Sequence, residues 1–121
     1  MGDLHRLGPA GEAHAARLLE TRGHRIIERN FRCPQGELDL VTWHCDTLVF
    51  VEVRARQENA DVHPLASVQP TKQHRVIKAA HWFLARKWRK APPPCRFDVV
   101  WLSANQNKIV DGGIVEGAFS A

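Results

Sequence analysis

The 121-residue chain has few cysteines, and they do not group. Cys33, Cys45 and Cys95 are an odd number at wide spacings with no CxxC pair. That argues against a zinc ribbon or a dithiol redox motif and predicts free thiols, buried or half-buried. No apolar run approaches the roughly 18 residues of a membrane span. The opening MGDLHRLGPAGEAH holds no apolar stretch of signal-peptide type. A cytoplasmic protein without a membrane partner is expected. Internal repeats and low-complexity tracts are missing too, and Pro92, Pro93 and Pro94 make one short break instead of a domain linker. The seven histidines are scattered with no HxxxH spacing, so most of them read as surface residues. Acid is missing from one long stretch: no Asp or Glu lies between Asp61 and Asp98.

That stretch carries eight basic residues, Lys72, Arg75, Lys78, Arg86, Lys87, Arg89, Lys90 and Arg96, in a chain of net charge +4. Segregated positive charge suits a polyanion, because each neutralised phosphate releases condensed counterions. It also suits a solvated helix face. The nucleic-acid-binding candidates are Lys72, Arg75, Lys78, Lys87, Arg89 and Lys90. Hydrophobic residues are 44% and charged residues 25%, enough apolar material for one globular domain over residues 1–121, with the tail from about 104 least defined.

Residues 9–22 read as a helix, with Ala15, Ala16 and Leu19 on one face and Gly23 placed to cap it. Glu12 falls on that same apolar face, where a carboxylate is unexpected. Strands follow at 25–31 and 37–43, then a turn at His44, Cys45 and Asp46 into a strand at 47–55. In TLVFVEVRA, Val49, Val51 and Val53 line one face, and Leu48, Phe50, Glu52 and Arg54 the other. Apolar residues on both faces predict a central, doubly covered strand with Glu52 in its middle. Residues 57–71 read as a loop held off helix by Pro64 and Pro70. A long helix over 71–90 presents Val76, Ile77, Ala80, Phe83, Leu84 and Trp88 as its buried stripe. A strand at 97–102 and a short, weaker one at 108–115 complete an α-β-β-β-α-β order with a strand-like tail. The fold class is α/β, a mixed central sheet flanked by helices.

Glu37 and Asp39 share one strand face, and Glu52 lies across a short hairpin from Asp39, within one or two positions of register. A single strand carboxylate is often just a salt-bridge partner, here for Arg54, Arg56 or Arg96. Asp39 and Glu52 together, with Glu12 beside them, would each carry a desolvation cost. A divalent cation relieves it, and oxygen-only ligands suit Mg²⁺ or Mn²⁺. Such an ion polarises a phosphate and lowers the pKa of an attacking water. Trp82 and Trp88 sit on the basic helix; Trp88 reads as core, and Asp98 as the partner of Arg96 or Arg54.

Four blocks in order, Gly36-Glu37-Leu38-Asp39-Leu40, Val49 to Arg56, Lys72-Gln73-His74 and Arg96-Phe97-Asp98-Val99-Val100, resemble the YraN-like family of bacterial proteins. That family is similar to the Holliday-junction-resolvase branch of the PD-(D/E)xK nucleases. The resemblance implies a restriction-endonuclease-like core, a metal-dependent phosphodiesterase activity on branched or structured DNA, and, by analogy, a homodimer. It implies Asp39, Glu52 and Glu12 as metal ligands, and Arg54 where that superfamily has lysine. Arginine can hold a phosphate but cannot act as a base at neutral pH. Two alternatives stay open: Arg54 substitutes electrostatically, or Lys72 reaches in from the second helix. The catalytic candidates are therefore Glu12, Asp39, Glu52, Arg54 and Lys72. The competing functions are a nucleic-acid-binding module without cleavage and a protein scaffold acting through the 57–71 loop.

Overall fold

A computed structural model describes residues 8–58, 68–88, 90–106 and 108–121. Helix α1 spans Gly8–Thr21, strands β1, β2 and β3 span His24–Cys33, Gly36–His44 and Thr47–Gln57, helix α2 spans Pro70–Lys87, and strands β4 and β5 span Cys95–Asn105 and Lys108–Phe119. The five strands form one sheet in chain order. Only β3 and β4 run parallel; the other neighbours are antiparallel. A parallel pair needs a crossover, and α2 lies in that connection. The result is a single small α/β domain with a mixed sheet.

The alternation in β3 decides the layering. Val49, Val51 and Val53 pack with Ala15, Ala16 and Leu19 of α1, together with Val100 and Leu102 of β4. Leu48 and Phe50 face the other way and pack with Val76, Ala79, Ala80 and Phe83 of α2. Phe83 meets the rings of Phe31 and Phe50 edge-on, at centroid distances of 5.3 and 6.0 Å. Edge-to-face contacts of this kind fill a core without voids.

Several expectations change. Pro70 does not hold the chain off helix; it starts α2, where its missing N–H costs nothing. The helix ends at Lys87 rather than residue 90, and Trp88 is its C-cap, with its N–H bonded to the Leu84 carbonyl. Ala79 takes the place expected of Ile77 and Leu84, which are only half-buried. The β2–β3 turn is just Cys45 and Asp46, since His44 pairs with Thr47. Strand β5 is far longer than expected. Gly113 lets it lie against Trp101, because a Cβ there would stand 2.6 Å from the indole nitrogen. Cys45 and Cys95 are exposed, not buried, although all three thiols are free. His24 is buried, against the surface reading of the histidines. Among the described residues no helix is long and apolar enough to cross a membrane. Pro64 and most of the 57–71 segment lie outside the described residues, as does Arg89.

Candidate active site

Strands β2 and β3 pair from His44↔Thr47 as far as Leu40↔Val51. The next rung would set Asp39 against Glu52, and the ladder stops there. Strand β3 continues to pair with β4 through Gln57↔Ala104, while β2 stays with β1 to its tip at Cys33↔Gly36. The sheet therefore splits at the two carboxylates. Asp39 fills the first gap: its Oδ2 accepts the Val53 N–H at 2.8 Å, the donor that an unbroken ladder would have engaged. Leu38 and Leu40, which an ideal strand would place on one face, instead join opposite core clusters. Asn30, across from this point on β1, has φ 53°. Asparagine is among the few residues that enter the left-handed region readily, so the distortion has a local cause.

The split opens a cleft of about 230 Å³. The start of α1 contributes Gly8, Gly11 and Glu12, the hairpin β1–β2 contributes Asn30, Arg32, Glu37 and Asp39, β3 contributes Glu52, Val53 and Arg54, and α2 contributes Lys72. Glu52 is 3% exposed. Its Oε2 lies 3.6 Å from Lys72 Nζ and 3.8 Å from an Arg54 guanidinium nitrogen, too far for short hydrogen bonds. The Asp39 carboxyl is its acidic neighbour in the cleft. Burial, first, and then the Asp39 charge push Glu52 up to about 8, and burial also raises Asp39. Two buried carboxyls this close cannot both ionise cheaply, so burial and mutual repulsion favour a protonated or cation-bound form of the pair.

The structure brings the candidate residues Asp39, Glu52, Glu12, Arg54 and Lys72 to one cleft, with individual partners that the sequence did not indicate. Glu12 Oε1 accepts from Asn30 Nδ2 at 2.9 Å, and Glu37 stands 3.6 Å from Arg32. Among the described residues no three His, Cys, Asp or Glu side chains come together to enclose a metal ion. The oxygen donors that could serve an ion here are the carboxyls of Asp39 and Glu52. That number fits Mg²⁺ or Mn²⁺, which bind through one or two carboxylates and complete their shell with water and substrate phosphate. It does not fit a dedicated protein cage. Arg75, Lys78 and Lys87 lie exposed on α2 and Lys90 just beyond it. Asn30 and Arg32 were missed; the first is legible only once its backbone conformation is known.

A second polar centre lies at the far end of β2. Asp98, fully buried, accepts two bonds from Arg96 at 2.8 and 2.9 Å and one from the Gly117 N–H at 3.0 Å. Arg96 also reaches His44 Nδ1 at 2.9 Å, and the His44 ring stacks on His24 at 4.1 Å. Burial, then the neighbouring His44, lowers His24 to about 4, so it is neutral and shares a 2.7 Å bond with Thr42.

The sequence signature of the uncharacterised protein family UPF0102 matches residues 11–102. The chain belongs to the UPF0102 family. A UPF0102 protein of Herminiimonas arsenicoxydans is 52% identical over 100 residues, covering 83% of this chain and 79% of its own. Another, from Ectopseudomonas mendocina, is 43% identical over 121 residues and covers both chains completely. A third, from Moorella thermoacetica, is 41% identical over 116 residues, 94% of this chain and 95% of its own. The UPF0102 signature begins at Gly11, beside Glu12, and ends at Leu102 in β4, so it spans every residue of the cleft except Gly8.

Proposed function

We propose that this UPF0102 protein is a metal-dependent phosphodiesterase of the PD-(D/E)xK type that acts on branched or otherwise structured DNA. One observation carries the reading: the buried Asp39–Glu52 pair, placed where the sheet splits, with Lys72 and Arg54 within 4 Å of Glu52. A buried pair of neighbouring acids is costly for stability alone and suited to taking up a cation. Asp39 and Glu52 are the residues that would hold Mg²⁺ or Mn²⁺. Bound there, the ion supplies a Lewis acid for the phosphate and a water of lowered pKa.

The chain's own groups do the rest. Lys72 and Arg54 offer positive charge to the phosphate oxygens and to the charge that grows on them during hydrolysis. Glu12, held by Asn30, and Glu37, held by Arg32, give the cleft an acidic rim that orients water. The basic residues of α2 hold the DNA backbone beside the opening.

The test is cleavage of junction, flap, single-stranded and plain duplex DNA with Mg²⁺ or Mn²⁺. Junction or flap substrates should be cut and Glu52→Gln should abolish cutting while binding persists. Lys72→Ala should lose about a hundredfold or more in rate, the usual size for one transition-state donor. Arg54→Lys should retain activity. No cutting by parent or Arg54→Lys protein that binds these DNAs would leave a binding module in place of an enzyme.

A further inference from the structure

Beyond the cleft, the surface continues in one direction. A second depression of about 400 Å³ adjoins it and shares Arg32, Glu37 and Lys72 with it. Arg75 and the β1–β2 tip from Cys33 to Gly36 line it as well. Gly36 makes that approach possible: a Cβ there would stand 2.9 Å from the Arg75 carbonyl oxygen. From Arg75 the helix carries the line onward. Arg75, Lys78, Trp82 and Arg86 follow at spacings of three, four and four residues. At 3.6 residues per turn they fall within a sector of about 80°. All four are exposed. Trp82 is 40% exposed, one of two large hydrophobic residues so placed, and has no ring or hydrogen-bond partner among the described residues. Helix α2 carries no acidic residue.

An exposed indole between cations has a chemical counterpart. A duplex hides its base faces, and its backbone needs only the cations. An unpaired strand presents phosphates and base faces together, and stacking on an aromatic ring is how sequence-tolerant single-strand binders hold it. We infer that the surface from Lys72 past Arg75 and along the exposed face of α2 to Arg86 holds an unpaired nucleic-acid strand leaving the cleft, with Trp82 stacked on one of its bases. The inference rests on the nucleic-acid reading above and narrows it: the substrate carries a single-stranded segment next to the scissile bond. Trp82 stands ten residues beyond Lys72. That is about 15 Å along the helix, so the stacked base is a few nucleotides from the cleft.

The experiment is fluorescence anisotropy with three labelled DNAs: an oligo-dT strand, a duplex with a single-stranded tail, and a blunt duplex. The proteins are the parent, Trp82→Ala and Trp82→Phe, with melting temperature as the check on folding. Trp82→Ala should weaken the strand and the tailed duplex by about tenfold and leave the blunt duplex within about twofold. Trp82→Phe, which keeps a ring, should recover most of the loss. Equal binding by parent and Trp82→Ala on tailed DNA overturns the inference and leaves the nucleic-acid reading standing. So does an equal loss on blunt and tailed DNA, or preference of the parent for the blunt duplex. No binding of any of the three by the parent removes both readings.

Discussion

Two buried carboxylates stand one rung apart on neighbouring strands and have opposite fates. Asp98 on β4 pairs with Val51, and Glu52 on β3 pairs with Val99. Both are almost wholly buried. Asp98 receives three short bonds, two of them from a guanidinium that matches its geometry. Glu52 receives two cations at 3.6 and 3.8 Å and the carboxyl of another acid. Burial sets the cost of a charge, and the partners decide whether that cost is met within the protein. At Asp98 it is met, and the group ties β4 to β5. At Glu52 it is not, and a proton or a cation has to complete the site.

The largest expected effect comes from breaking the completed centre. Asp98→Ala strips Arg96 of its partner and should destabilise the fold by about 3 kcal/mol or more in urea melts. Glu52→Gln should cost little by the same measurement, because burial favours the neutral form of the native carboxyl and the amide is neutral too. A comparable loss in both variants would erase the distinction.

Next in size is the cation. Saturating Mn²⁺ should stabilise the parent by about 2.7 kcal/mol at a hundredfold excess over its Kd. Calorimetric scans should show no such gain in Asp39→Asn or Glu52→Gln. A gain that survives in both variants places the ion elsewhere.

The metal-free protein should also be pH-sensitive on the Glu52 side. Its folded-state pKa, about 8, lies above its ordinary value of 4.5. Stability from this group is therefore complete below about pH 4.5 and declines as pH rises toward 8, by at most about 1.4 kcal/mol per pH unit. Urea midpoints taken from pH 5 to 9 should fall less steeply in Glu52→Gln than in the parent. His24 has the opposite sign: its lowered value removes stability as pH falls from 6.5 toward 4, so acid should strain the Asp98 end. An identical pH profile in parent and Glu52→Gln would show that the acid pair does not favour a protonated form.

The smallest effect sharpens the geometry. Gly36→Ala forces the hairpin tip away from α2 and should cost about 1 kcal/mol. Because Lys72 sits one turn before Arg75, cleavage should suffer more than stability does. Equal and minor effects on both would separate the hairpin from the site.

The covered strand β3, the two helices and their apolar faces were legible because hydrophobic alternation and periodicity are local properties. The nearness of Asp39 and Glu52 was legible to within one or two positions, since a short hairpin leaves few choices; the exact register came from the two-residue turn at Cys45 and Asp46. Strand β5 was underread: a run with Asp111, Gly112 and Gly113 looks weak until Trp101 is seen filling the space beside it. The His24–His44–Arg96 chain was missed, because its members are far apart in sequence and none carries a motif.

What the sequence determined by itself was the order of elements and the residues able to do chemistry: a carboxylate on each of two neighbouring strands, another on the first helix, and a basic second helix. Tertiary structure alone decided which of them meet. Where the ladder opens at Asp39, Asn30 is left-handed and Val53 gives its N–H to a side chain instead of a strand. Lys72 reaches Glu52 because Gly36 lets a hairpin touch a helix backbone. Such meetings depend on distances of a few ångströms between segments that do not adjoin in the chain, and no local pattern encodes them.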